Sequence, residues 1–204
     1  MQHNVAALVR LMLVTDDLSL RGRDLIQIAR AAERGGVSSL QLRLKRASAR
    51  ELVALTRGLV AALRIPVLVN DRPDIAIAAG AAGVHLGPDD LSVDLTRRIA
   101  PAGFLIGASV GSEAEASRAA GADYWGVGPW RSTATKSDAG AALGPDGFAR
   151  ISRLARGRPC IAIGSVRPED VPIVASLGGA GVAVISGILE AGDIESAARR
   201  YSEQ

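Results

Sequence analysis

The stretch PVLVNDRPDIAIAAGAAGVHLG at 66–87 carries the pattern that decides the fold of this chain. A β-branched and leucine-rich run at 66–71 gives way to an alanine-rich stretch, and a second apolar run follows at 83–87. Short runs of this kind, bounded by Gly and Pro, read as buried strands. Outward in both directions the beat repeats, with runs at 8–15, 39–45, 104–109, 123–128, 159–164 and 181–186. Between them lie stretches with helical spacing, such as DLIQIARAAERGG and ARELVALTRGLVAALR. Ser112 and Glu115 fit a capping box, Pro168-Glu169 suits another helix start, and Gly35-Gly36, Gly121 and Gly178-Gly179 punctuate helix ends. Strands alternating with helices imply a parallel sheet. Neither G-x-G-x-x-G nor G-x-x-x-x-G-K-[ST] occurs, which leaves an open, doubly wound nucleotide-binding sheet as the lesser alternative. Eight units of about 25 residues each predict an α/β fold, a single (β/α)8 TIM barrel, with residues 1–204 as one catalytic domain.

Composition narrows the function. At 204 residues and 48% hydrophobic, the chain is long enough for one well-packed domain. No stretch reads as a signal peptide or a membrane span, so a soluble, cytoplasmic protein is expected. The formal charge is +3, its acids and bases are mixed, and aromatics are only 3%, which argues against a nucleic-acid face. The one cysteine, Cys160, sits among apolar residues and reads as a buried thiol. Of 24 basic residues all but Lys45 and Lys136 are arginines. A chain that uses Lys only twice has a use for a compact ammonium at those places.

Polar residues gather where strands should end. Gln41, Arg43 and Lys45 share one face of their strand by its period of two, and Leu40, Leu42 and Leu44 share the other. Unpaired buried cations are costly, so the trio predicts either an anionic ligand or an internal ion pair. Asp71 follows Val69-Asn70, and Asp90 follows the strand at 83–87 by three residues. Two carboxylates on neighbouring loops suit Mg²⁺, which takes one or two carboxylates with phosphate oxygens and water; capping of the next helix is the competing reading. Ser109 lies in Gly107-Ala108-Ser109-Val110-Gly111, which formally matches a hydrolase elbow. That motif needs a later histidine, and the only two, His3 and His85, come earlier; His85 is expected to pack or to support a neighbour. The same scarcity of His and Cys argues against zinc. After the sixth strand, WRSTATKSDAGAALG is small and polar, as lids are. Gly164-Ser165 and Ser186-Gly187 follow strands seven and eight, where such barrels often build a phosphate cup.

In this order, QLRLK at 41–45, VND at 69–71, GVHLGPDD at 83–90, GADYWGVGP at 121–129 and TATK at 133–136 resemble the thiamine-phosphate synthase family. The resemblance runs from VTDD at 14–17 nearly to the C-terminus. It implies a transferase of thiamine biosynthesis joining two small phosphorylated substrates, a pyrimidine diphosphate and a thiazole phosphate, to give thiamine phosphate and pyrophosphate. The implied pyrimidine-diphosphate ligands are Gln41, Arg43, Lys45, Asn70, Ser109 and Lys136, with Lys136, Arg43, Lys45 and Ser109 as the catalytic set. One Mg²⁺ per subunit would sit on Asp71 and Asp90. The thiazole phosphate would meet Thr133, Ala134, Thr135, Ser165, Ile185 and Ser186. Leu44 stands where the family usually has Glu, Ser165 replaces the second Gly of a usual pair, and Arg131-Ser132 replaces an aromatic-Pro or similar pair. The rival readings are a thiazole tautomerase-like isomerase, which relies on a histidine where this chain has Pro129, a non-catalytic ligand-binding paralogue, and a different phosphate-binding barrel isomerase. Homo-oligomerisation is left open by the sequence.

Overall fold

The computed structural model describes residues 4–20, 22–132 and 141–204. Eight parallel strands, β1 (Leu11–Val14), β2 (Ser39–Leu42), β3 (Val67–Asn70), β4 (Gly83–Leu86), β5 (Leu105–Val110), β6 (Tyr124–Val127), β7 (Cys160–Ile163) and β8 (Gly181–Val184), pair in chain order. β8 returns to β1 and closes the barrel. Around it run α1 (Val5–Leu8), α2 (Asp17–Leu20), α3 (Leu25–Arg34), α4 (Ala49–Ala62), α5 (Pro73–Ala79), α6 (Val93–Ile99), α7 (Glu113–Arg118), α8 (Gly144–Leu154), α9 (Val171–Ser176), α10 (Ser186–Leu189) and α11 (Ile194–Ser202).

All the strands but β5 are shorter than the apolar runs that predicted them, and β5 is shifted by one residue. Leu8 closes α1, so the 8–15 run divides before β1 begins at Leu11. The 39–45 run leaves the ladder after Leu42, because the Arg43 amide donates to Thr15 Oγ1 at 2.8 Å. Local chemistry then sets the helix ends. Asp24 caps α3 by accepting from the amides of Ile26 and Gln27, and α3 buries Leu25, Ile28, Ala29 and Ala32 at helical spacing. Ser48 and Glu51 form a complete capping box on α4. The expected box at α7 is only half made. Ser112 Oγ accepts from the Glu115 amide, but the Glu115 carboxylate instead takes the Gly111 N–H at 2.5 Å.

Period two divides the strands between two cores. Leu40 and Leu42 of β2 point outward to the helix layer with Val67, Val69, Val84 and Ile106, and half-buried Leu44 packs against the same cluster. Inside the barrel, Met12, Val14, Leu68, Leu105, Tyr124, Ile161 and Ala183 form a second, smaller cluster. Polar side chains lie at the strand ends, above this plug. Cys160 is buried, as its neighbours imply. Among the described residues no helix is long and apolar enough to cross a membrane.

Candidate active site

At the C-terminal ends of the strands the barrel opens into a cavity of about 570 Å³. Gln41, Arg43, Lys45, Asn70, Asp71, Asp90, Ser109, Ser165, Ile185 and Ser186, contributed by six different strand ends, all line it. Thr133, Ala134, Thr135 and Lys136 lie outside the described residues, as does most of the segment read as a lid.

β2 delivers the first group. Gln41 is buried, Arg43 half-buried and Lys45 exposed, so the trio climbs from the interior to the rim. Arg43 is not unpaired: its Nη1 lies 2.9 Å from Asp16 Oδ1, and both side chains are about one-tenth exposed. Its burial therefore does not by itself require an anion. Asp16 is in turn held by the amides of Leu18 and Ser19 at the start of α2. Nothing in the chain's periodicity marked Asp16; the signal available was an Asp-Asp pair just past a strand end, where barrels put functional groups.

Asp71 is the strained member. Its φ of 65° is left-handed, a conformation uncommon for a residue with a Cβ and commoner for Asp than for most. Its amide is fixed by the His85 carbonyl at 2.8 Å, which ties the end of β3 to β4. Asp90 turns back toward the strand end, with Oδ2 accepting the Gly87 N–H at 2.7 Å. A Cβ at Gly87 would come within 3.0 Å of that oxygen, so Gly admits the close approach. The helix-capping alternative for Asp90 does not hold, because Ser92 caps α6.

The electrostatics follow from this packing. Burial, then a hydrogen bond with Asp90 and the Asp90 charge, push the Asp71 carboxyl up to about 6; Lys45 and Arg43 pull it down by less. Two carboxylates brought close enough to share a proton form a site short of positive charge. Among the described residues no three His, Cys, Asp or Glu side chains cluster as a metal cage. Two carboxylates without a cage are the donor set that Mg²⁺ uses when substrate oxygens and water complete its shell, so these residues fit that ion.

Ser109 faces His85. The His85 Nε2 lies 3.1 Å from Ser109 Oγ, and Nδ1 lies 2.9 Å from the Tyr124 hydroxyl. Chain order had set His85 apart from Ser109, but adjacency of β4 and β5 joins them. A phenol, not a carboxylate, stands behind the imidazole, so a hydrolase triad is still not formed. The sequence does not single out Tyr124, because an all-apolar or aromatic strand such as β6 does not mark which of its faces turns inward.

On the opposite wall Ser165 is also left-handed, with φ 52°, and its Oγ donates to the Ser132 carbonyl at 3.1 Å. Arg131 forms a two-pronged ion pair with the buried Asp170, one prong at 2.6 Å. The three departures from the family pattern are thus absorbed: Leu44 packs outward, Ser165 links two loops, and Arg131 has its own partner. The peptide bond Gly128-Pro129 is cis.

A closed (β/α)8 barrel with carboxylates, cations and a serine converging on the mouth of its strands defines a barrel enzyme. Residues 11–188 match the family described as thiamine monophosphate synthase. A thiamine-phosphate synthase of Methanoculleus marisnigri is 46% identical over 95% of this chain and 94% of its own length. One from Azorhizobium caulinodans is 43% identical over 93% and 91%. The solved thiamine phosphate pyrophosphorylase of Pyrococcus furiosus superposes with a TM-score of 0.87 at 32% identity, covering 98% of this chain and 96% of that one. A 3-hexulose-6-phosphate synthase, at 20% identity and TM-score 0.70, shares the fold alone. This chain belongs to the thiamine monophosphate synthase family, and with it to the transferases of thiamine biosynthesis.

Proposed function

We propose that the chain, acting as one barrel domain in the cytoplasm, condenses 4-amino-2-methyl-5-hydroxymethylpyrimidine diphosphate with 4-methyl-5-hydroxyethylthiazole phosphate. The products are thiamine phosphate and pyrophosphate. The observation that carries this reading is the pairing, around one cavity, of Asp71 and Asp90 with Arg43 and Lys45. Such a site would hold a diphosphate through the two cations and through a metal bound by the two carboxylates.

Asp71 and Asp90 would hold one Mg²⁺, which when bound neutralises charge on a diphosphate. Arg43, Lys45, Asn70, Ser109 and Lys136 are assigned to the diphosphate, and Gln41, deeper in the barrel, to the pyrimidine. The thiazole phosphate is assigned to Thr133, Ala134, Thr135, Ser165 and the backbone at Ile185-Ser186. The Arg43 and Lys45 cations stabilise negative charge as the bond from the pyrimidine methylene to diphosphate breaks. The thiazole nitrogen carries its own lone pair and needs no base. The residues therefore act by holding two substrates in line and by favouring charge separation.

Mixing the two phosphorylated substrates with Mg²⁺ and the protein should yield thiamine phosphate and pyrophosphate in equal amounts. Their absence with folded protein rejects the assignment.

A further inference from the structure

The interior of the barrel holds two polar side chains, Tyr124 and His85, to which the proposed reaction gives no role. Tyr124 is fully buried on the inner face of β6. Its ring lies over Gly107 of β5, where a Cβ would stand 2.2 Å from the Tyr124 Cζ. Gly126, two residues on, makes room for the imidazole of His85; a Cβ there would stand 3.1 Å from Cε1. Two glycines thus open space in the barrel for one phenol and one imidazole. The phenol meets His85 Nδ1 at 2.9 Å, and Nε2 meets Ser109 Oγ at 3.1 Å.

Burial holds the phenol far above its usual pKa, so the hydroxyl keeps its proton. It has two acceptors to choose from, Nδ1 at 2.9 Å and the Met12 sulfur at 3.9 Å. Oxygen to imidazole nitrogen at that distance is much the stronger bond. Gln41 is a further neighbour of the phenol, and its Nε2 donates to Met12 Sδ at 3.5 Å. With Nδ1 accepting, a neutral imidazole carries its proton on Nε2, and Ser109 Oγ at 3.1 Å stands where it accepts that proton. The serine then keeps its own proton for the cavity.

We propose that Tyr124 and His85 are positioning residues that orient the Ser109 hydroxyl as a donor toward an anionic oxygen in the cavity. This rests on the reading that Ser109 meets the diphosphate. In the reverse direction Ser109 would give its proton to Nε2 and turn lone pairs toward an anion. In this tautomer His85 does not serve as a base for Ser109, since Nε2 already carries the proton.

The test uses the whole protein with Mg²⁺ and inorganic pyrophosphate as probe. The chain has only two histidines, so ¹⁵N-histidine labelling with a His3→Gln control isolates the His85 ring. The ring should carry its proton on Nε2, and Tyr124→Phe, which keeps the ring over Gly107, should mix the two tautomers. Ser109→Ala should weaken pyrophosphate binding roughly tenfold, as loss of one hydrogen bond to a charged group does. Tyr124→Phe should weaken it several-fold, and adding it to Ser109→Ala should cost nothing more. A purely structural role for Tyr124 would give additive losses. An Nδ1-protonated His85 in the wild type, or additive losses, overturns the proposal, and the tautomer decides alone if Tyr124→Phe does not fold. A wild type that binds no pyrophosphate overturns the functional reading itself, and the proposal with it.

Discussion

Replacing Asp90 by Asn should make the protein more stable and less active. Asp71 is held up to about 6 against an ordinary 3.8, first by burial and then by Asp90. A difference of that size corresponds to about 3 kcal/mol. The mouth is open to water, and screening leaves on the order of 1–2 kcal/mol. Because the folded chain binds this proton more tightly than the unfolded chain, the stabilisation is complete below about pH 4. It is lost as pH rises through about 6, leaving two crowded carboxylates at neutral pH. The Asp90→Asn amide would remove the like charge while keeping an oxygen for the Gly87 N–H. Burial of Asp71 remains, so the expected gain at pH 8 is about 1 kcal/mol, or roughly 2–4 °C in Tm. At pH 5, where Asp71 already holds its proton, the gain should disappear. The same variant should lose most of the stabilisation that Mg²⁺ with pyrophosphate confers on the wild type, and need more Mg²⁺ for turnover. Thermal unfolding at both pH values, with and without those ligands, reads the stability effects, and a Mg²⁺ titration of turnover reads the last. An Asp90→Asn protein less stable than wild type at pH 8, or equally stabilised by Mg²⁺, refutes the shared-carboxylate reasoning.

Gly107→Ala drives a methyl into the Tyr124 ring and should destabilise by about 2–3 kcal/mol in urea unfolding, whereas a near-neutral result would mean that the barrel interior is looser than its packing indicates. Arg43→Met strands the nearly buried Asp16 and should cost about 2–4 kcal/mol together with most activity. Adding Asp16→Asn should restore stability but not turnover, and recovery of both would assign Arg43 to folding alone. Lys136→Ala should lower turnover about 10²-fold, the scale of one preorganised electrostatic donor; near-wild-type turnover removes Lys136 from the chemistry. Electron-withdrawing substituents on the pyrimidine should slow the single-turnover rate strongly if charge separation limits the step, and a flat series rejects that mechanism.

Much of this architecture was legible because it is written locally. Eight apolar runs mark eight strands, since a strand buried on both faces has to be apolar along its length. The alternation of Gln41 with Leu40 and Leu42 placed polar and apolar faces correctly, since side chains alternate strictly across a strand. Positions at strand ends gathered the described candidates at one cavity, because parallel strands put all their C-terminal ends on one side.

What the chain could not disclose by itself are the pairings across it. The ion pair of Arg43 with Asp16 joins residues 27 apart, and the bond of His85 to Ser109 joins residues 24 apart. Neither spacing has meaning until β2 lies beside β1 and β5 beside β4. Tyr124 reaches His85 only because Gly107 and Gly126 bear no side chains, an opening that arises from three strands at once. Residue type and period are properties of a segment and can be read along it. Partner, burial and proton position are properties of a neighbourhood, and only closure of the barrel creates that.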